Sequence, residues 1–432
     1  MRRVISAVAA AAALALAVSA CGSDDSPKSA APATSAAPAD VTGTVTWWDT
    51  SDATNEGPAF KELIADFEAK YPKIKVSYVN VPFGEAQNKF QTAAQAGSGA
   101  PDVIRAEVGW VAQFASLGYL APLDGTPAVD NADDFLPGPA SAGKYDGKTY
   151  AVPQVTDTLG LLYNKELLAK AGHNEPPKTF DELKQTALDV KSKTGVDGLT
   201  LNVDSYFLLP FIYGEGGDLL DIDSKKITVS SAQAVAGVQK VMDLISSSAA
   251  PKPTIKDSYV AAETAFKEGK TAMIFNGPWS MSDNLGGKVF KDKPDNLGVA
   301  PVPAGSVKAA GPTGGHTYAV YAGSGNLDAS YLFVQYMDSA ESQAKLAGKL
   351  GLLPTRASAY SLPDASGSPV VATWKSVMET AVSRPWIPEQ GQLFQPLVEG
   401  YQDLVSGKES DVQKVMDGVA QKYQGLLKGW SL

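Results

Sequence analysis

Several stretches of the sequence set aromatic rings beside acids, amides or arginine. Trp47-Trp48-Asp49 is followed by Ser51, and Arg105, Glu107 and Trp110 share one short segment. Asp157 precedes an apolar run. Asp204-Ser205-Tyr206-Phe207 and Asn276-Gly277-Pro278-Trp279 repeat the mixture. These residue types suit a sugar. A pyranose offers apolar C–H faces to an aromatic ring. Its hydroxyls need the donors and acceptors that carboxylates, amides and guanidinium groups supply. Each residue also has a plainer reading, because a Trp at a strand end often packs in a core and a lone loop Asp often caps a turn. The recurrence points to binding. A glycoside hydrolase would show the same rings with two acids about 5–10 Å apart across the scissile bond. A receptor for peptides or for another oligosaccharide is a further alternative. No GxSxG, Walker or HExxH run is evident.

The elements that would position these residues alternate. Val41 to Trp48 is β-branched and aromatic and reads as a buried strand. Phe60, Leu63, Ile64 and Phe67 fall on one face of a helix that ends at Tyr71-Pro72. Ile74 to Val81 reads as strand, Gly84 to Ala96 as helix and Val103-Ile104 as strand. This βαβα order predicts a parallel, layered α/β sheet. A second α/β unit follows Tyr150, with a strand at Leu159 to Tyr163 and a capping box of Thr179 with Glu182. Helices are expected at 235–245 and 258–268, and a strand at 271–275 runs into Asn276. From about Asp328 the pattern is mostly helical. The candidate residues then lie at the carboxyl ends of strands, where open α/β sheets collect ligands.

The chain has 432 residues, which suits two domains rather than one. Its net charge of −10 argues against a nucleic-acid-binding face. One cysteine and two histidines exclude a Cys/His zinc cluster and an intramolecular disulfide. No metal and no cofactor are expected. Residues 1–20 read as a secretory signal, with Arg2 and Arg3 ahead of an Ala/Leu-rich run. Residues 21–40 are rich in Ser, Ala, Pro and Asp and read as a disordered tether.

Longer motifs carry a family resemblance. Leu162-Tyr163-Asn164-Lys165-Glu166-Leu167-Leu168 with Pro176-Pro177-Lys178-Thr179-Phe180, then Ala261 to Met273 with Asn276-Gly277-Pro278-Trp279, and Gly99-Ala100-Pro101-Asp102-Val103 occur in the order seen in maltose-binding members. The chain from about 41 to 430 resembles the family 1 extracellular solute-binding proteins, which deliver oligosaccharides to ABC importers. Trp47-Trp48-Asp49-Thr50-Ser51 with Asn55-Glu56, and Val81-Pro82-Phe83 with Gln87-Asn88-Lys89-Phe90, resemble maltose/maltodextrin-binding lipoproteins of high-GC Gram-positive bacteria. The resemblance implies an α/β, two-lobed, periplasmic-binding-protein-like (type II) fold with a hinge and discontinuous lobes. These would be 41–154 with 307–353, and 155–306 with 354–432. Val18-Ser19-Ala20-Cys21 resembles a lipobox, which implies lipidation at Cys21 and a place on the extracellular face of the cytoplasmic membrane.

Carried over by position, Trp279 becomes a stacking platform beside the pair Tyr206 and Phe207. Asp204 and Asp157 stand where the family has Glu. Glu107 falls near a cleft acid, Asp49 and Ser51 in the first cleft loop, and Gln87 in the second. Arg384-Pro385 resembles a cleft Arg-Pro, and Phe394 takes the place of a late stacking Trp. Trp48 and Arg105 complete the candidate set. His316 either edges the cleft or serves as a surface or capping residue, and His173 is expected to be exposed. The implied protein is a non-enzymatic, monomeric sugar receptor with a permease as partner. The shortened acids and Phe394 leave the exact sugar and its length open.

Overall fold

The computed structural model describes residues 37–432. The signal segment and Cys21 lie outside them. Pro38–Asp40 already form a 3-10 turn, and Asp40 pairs with Lys73 at 3.2 Å, so ordered chain starts ahead of residue 41.

Two mixed sheets carry the architecture. Their strands are β1 (Gly43–Asp49), β2 (Ile74–Asn80), β3 (Val103–Glu107), β4 (Ala151–Asp157), β5 (Gly160–Asn164), β6 (Asp197–Thr200), β7 (Thr271–Asn276), β8 (Leu297–Pro301), β9 (Gly314–Val320) and β10 (Leu353–Pro354). The first sheet has the order β10-β4-β9-β3-β1-β2 and the second β8-β5-β7-β6. The parallel expectation holds for β1 with β2 and β3, and for β6 with β7. It fails for β9, which runs antiparallel to β3 and β4, and for β5, which runs antiparallel to β7 and β8. The connections explain this. Only Thr158 and Leu159 separate β4 from β5, too few for a crossover, so the chain steps straight between sheets. β4 leaves the first sheet at the end where β9 later enters it, and the two must point in opposite directions.

Helices cover the sheets. The main ones are α1 (Gly57–Lys70), α2 (Phe83–Ala96), α3 (Phe180–Thr194), α4 (Ser205–Gly214), α5 (Ala232–Ser246), α6 (Ser258–Lys267), α7 (Leu327–Met337), α8 (Ala340–Leu350), α9 (Pro369–Met378), α10 (Gln390–Ser406) and α11 (Val412–Leu426). α1 buries the expected face, Phe60, Leu63, Ile64 and Phe67. That face meets Trp47, whose ring also contacts Tyr78, Tyr318 and Phe333 at 5.5–6.0 Å. Around the second sheet, Phe211 stacks on Phe180 at 4.8 Å and meets Phe275 edge-on at 5.4 Å. Trp374 of α9 is fully buried among Leu162, Ile274, Ala347 and Leu353, so one core joins both sheets.

The capping box at α3 forms by half. Thr179 accepts from the Glu182 amide at 3.2 Å, but the Glu182 carboxylate accepts from Lys178 N at 2.7 Å. The segment around Thr179 is held by Ala304, which exchanges backbone bonds with Lys178 and Phe180, so the glutamate caps one residue earlier. His173 is half-buried rather than exposed, with its Nε2 2.9 Å from Asp189.

Candidate functional site

A cleft of about 1590 Å³ opens where the strands end. One wall comes from the ends of β1, β2, β3 and β4 and from the start of β9. The other comes from the loops after β6 and β7, from the start of α6 and from residues 384–398. Of the candidate residues, Ser51, Gln87, Arg105, Glu107, Asp157, Asp204, Tyr206, Phe207, Trp279, His316, Arg384 and Phe394 line it.

Trp48 and Asp49 do not, and this corrects their assignment as cleft contacts. Both faces of the first sheet are covered, so alternate residues of β1 are buried on either side: Trp47 under α1, and Trp48 beneath the Lys89 ammonium of α2. Asp49 is fully buried. Its carboxylate accepts from Ser51 N at 3.0 Å and from Tyr78 Oη at 2.7 Å. It therefore shapes the Thr50-Ser51 turn from behind.

The loop after β7 presents Trp279. Its ring folds back over Gly277, where any Cβ would lie 1.9 Å from the indole, so only glycine fits. Trp279 Nε1 donates to Tyr259 Oη at 3.0 Å. Behind the loop, buried Glu263 of α6 accepts from the amides of Asn276 and Asn284. This links the two halves of the family motif, since the glutamate of one holds the asparagine of the other. Tyr206 stands 6.4 Å from Trp279 and 6.1 Å from Phe207, and Phe207 stands 6.1 Å from Tyr259. Asp204 caps α4 by accepting from Tyr206 N at 2.8 Å. These rings form one platform.

The floor is charged. Arg384 is ion-paired with Glu107 and donates from Nε to Thr313 O at 2.8 Å. The rings of Tyr206, Trp386 and Phe394 surround its guanidinium at 5.4–5.5 Å. Arg105 donates to Gln154 at 2.8 Å and faces Glu56 at 3.8 Å. Burial pushes the Glu56 carboxyl up, against the pull of Arg105. Burial, and then Arg105 and Arg384, push His316 well below its usual range. A neutral ring with an unpartnered Nε2 therefore lines the cleft from β9. This favours the cleft-edge reading of His316 over the capping one.

Asp157 ends β4, nearly buried. Burial and then Glu107 push its carboxyl up to about 7 from an ordinary 3.8, against Arg384 and Tyr206. Proton counting agrees. Tyr206 Oη lies 3.2 Å from Asp157 Oδ1 and 2.9 Å from Pro312 O, but it has one proton for two acceptors. A protonated Asp157 supplies the second. Stability that depends on this proton is fully present below about 4 and is lost as pH rises through about 7. Asp157→Asn keeps a donor at every pH. Urea unfolding from pH 4 to 8 should therefore show a shallower fall in stability for the variant than for the wild type. Glu263, pushed up to about 7 by burial, leaves both with a residual slope of the same sign. Parallel curves would refute the Asp157 assignment.

Other lining residues were not among the candidates: Asn55, Phe83, Gln113, Tyr259, Asp283 and Gln390. Phe83 opens α2 and Tyr259 sits in the first turn of α6, so each carries a legible signal, an aromatic at a helix start. Gln113 and Gln390 carry none, because an isolated glutamine reads as surface. Ser282 Oγ donates to Asn55 Oδ1 at 2.9 Å and joins the two walls. Among the described residues no group of His, Cys, Asp or Glu is arranged to hold a metal, and no helix is long and apolar enough to cross a membrane.

Known proteins share this fold. The profile of the bacterial extracellular solute-binding protein family matches residues 50–344. The maltotriose-binding protein of Pyrococcus abyssi is 27% identical over 378 residues, 86% of this chain and 79% of that one. A maltooligosaccharide ABC transporter solute-binding lipoprotein of Streptococcus pneumoniae is 26% identical, over 84% of this chain and 88% of that one. The GacH receptor of Streptomyces glaucescens, solved unliganded and with acarbose, superposes with a TM-score of 0.87 at 49% identity, covering 90% of this chain and 100% of that one. Maltose-bound MalE3 of T. maritima superposes with a TM-score of 0.82 at 25% identity, over 89% and 100%. The fold is the two-lobed, periplasmic-binding-protein-like type II fold. The chain belongs to the bacterial extracellular solute-binding protein family.

Proposed function

We propose that this protein is the substrate-binding component of an ABC sugar importer and that it takes maltooligosaccharides into the cleft. The observation that carries the reading is the Trp279–Tyr206–Phe207 platform set over the Arg384–Glu107–Asp157 floor. The rings take sugar faces, and the floor and the amides take hydroxyls. The ligands named for these relatives, maltotriose, maltooligosaccharides, maltose and acarbose, support it. The two sheets with their helices act as lobes. Ligand shifts the population toward the closed state, because contacts to both walls form only there. A membrane permease then takes the sugar. The tether and a lipid on Cys21 keep a monomeric receptor at the extracellular face of the cytoplasmic membrane.

The protein acts without catalysis in this reading. A raised carboxyl beside a second acid also suits a glycoside hydrolase, but both oxygens of Glu107 are already engaged, one by Arg384 and one by Gly109 N, which fits a structural ion pair better than a free nucleophile. A thermal-shift screen tests the proposal with maltose, maltotriose, acarbose, trehalose, cellobiose, xylobiose and a peptide pool. A ligand at about 100 times its dissociation constant adds about 2.7 kcal/mol to native stability. A raised melting temperature with maltotriose, and the sugar recovered intact, is expected. Cleaved sugar would make the protein a hydrolase. A response to peptides alone would make it a peptide receptor.

A further inference from the structure

Polar contacts cross the cleft from one wall to the other. Ser282 donates to Asn55 at 2.9 Å, Arg384 pairs with Glu107, and Tyr206 Oη at the start of α4 lies 3.2 Å from Asp157 Oδ1 at the end of β4. The first two are balanced: a hydroxyl meets an amide oxygen, and a cation meets an anion. The third is one proton short, because Tyr206 Oη also lies 2.9 Å from Pro312 O. That shortage exists only while the walls touch, since Asp157 belongs to one and Tyr206 to the other.

The contact has no room for water on its β9 side. Gly314 pairs with Asp157, and a Cβ there would lie 2.3 Å from Asp157 Oδ1 and 2.5 Å from Tyr206 Oη. Charged and titratable groups face the carboxyl from the neighbouring elements. On β3, Glu107 repels its charge and Arg105 attracts it. Arg384, ahead of α10, attracts it too, and Tyr206 of α4 is its hydrogen-bond partner. His316 of β9 is neutral, and β10 offers the apolar Leu353 and Pro354. Arg384 already serves Glu107 and Thr313 O. Burial outweighs them all and holds the carboxyl up at about 7 while the walls meet. Once they part, water reaches Asp157 and its carboxyl returns toward an ordinary 3.8.

We infer that closing the cleft on a sugar takes up a proton onto Asp157, so that sugar affinity falls as the medium becomes alkaline. The inference rests on the proposed function, with the two walls moving as lobes. The coupling is reciprocal: the proton favours the sugar-bound state by the same factor by which sugar favours the proton. Maltotriose affinity is then fully present below about 4 and falls as pH rises through about 7, by at least about tenfold between pH 5 and pH 8. Its test is calorimetric titration of the full-length protein with maltotriose at pH 6 in phosphate, MES and imidazole, whose different ionisation enthalpies expose proton exchange. Wild type should take up about one proton per sugar at pH 6 and almost none at pH 9, and Asp157→Asn should lose the uptake. The infrared difference spectrum, sugar-saturated minus free, should gain a protonated-carboxyl band in the wild type and lack it in Asp157→Asn. This reads the same proton even where the variant binds weakly. Maltotriose binding without proton uptake, or uptake undiminished in Asp157→Asn, overturns the inference while leaving the sugar-receptor reading intact. Wild-type protein that binds no maltotriose at any pH overturns both.

Discussion

Trp279→Ala will weaken maltotriose binding at least tenfold, about 1.4 kcal/mol, and leave a cooperatively folded protein. The indole is the largest ring of the platform, and its position is over-determined. Gly277 leaves it room, Tyr259 Oη accepts its N–H, and the Glu263–Asn276–Asn284 network holds the loop beneath it. A side chain so pre-positioned gives up little entropy when the sugar arrives, so its contact appears almost undiminished in the affinity. Trp279 is also only partly buried and lies at the edge of two cores rather than inside either, so truncation costs the fold less than loss of a core tryptophan. Trp279→Phe should fall between, keeping a face for stacking and losing the donor to Tyr259. Titration calorimetry reads the affinities and circular dichroism the melting curves. Unchanged affinity in Trp279→Ala would remove the platform from the binding site.

The sequence revealed most where a pattern had one physical cause. The face of α1 and the strands β1, β2, β3 and β7 appear where periodicity places them, because each buries one stripe or sits between covered neighbours. The carboxyl-end rule brought most of the candidate residues to one cleft. It failed at Trp48 and Asp49, where a strand end was read as a cleft edge. Whether a residue there faces ligand or core depends on the layer above it, and α2 with Lys89 supplies that layer from elsewhere in the chain. The mixed strand directions were hidden for a similar reason. Two residues between β4 and β5 carry no signal that the chain has changed sheets. The Arg384–Glu107 pair joins residues far apart in sequence, and no spacing rule reaches that distance.

That pair carries the second large effect. Arg384→Met will destabilise the fold by about 3–5 kcal/mol, the cost of leaving a buried charge without its partner. The guanidinium is 2% exposed and faces Glu107 on one side and the Asp157 carboxyl nearby. It also ties the segment ending in β-paired Ala381-Val382 to Thr313, where the chain passes back into the first sheet. Three rings pack around it, and the acid left behind is only 13% exposed, so its charge is poorly solvated. Replacing both members removes that penalty, because two neutral groups of similar shape need no counter-charge. The double variant Arg384→Met/Glu107→Gln should therefore recover most of the lost stability in urea titrations. It should not recover maltotriose affinity, since neither replacement supplies the paired donors that a guanidinium gives to sugar hydroxyls. This split separates the two roles of the arginine. A double variant no more stable than the single would mean that Arg384 supports the fold through its ring contacts rather than its charge. A single variant as stable as wild type would mean that Glu107 already draws its compensation from Gly109 N and the cleft.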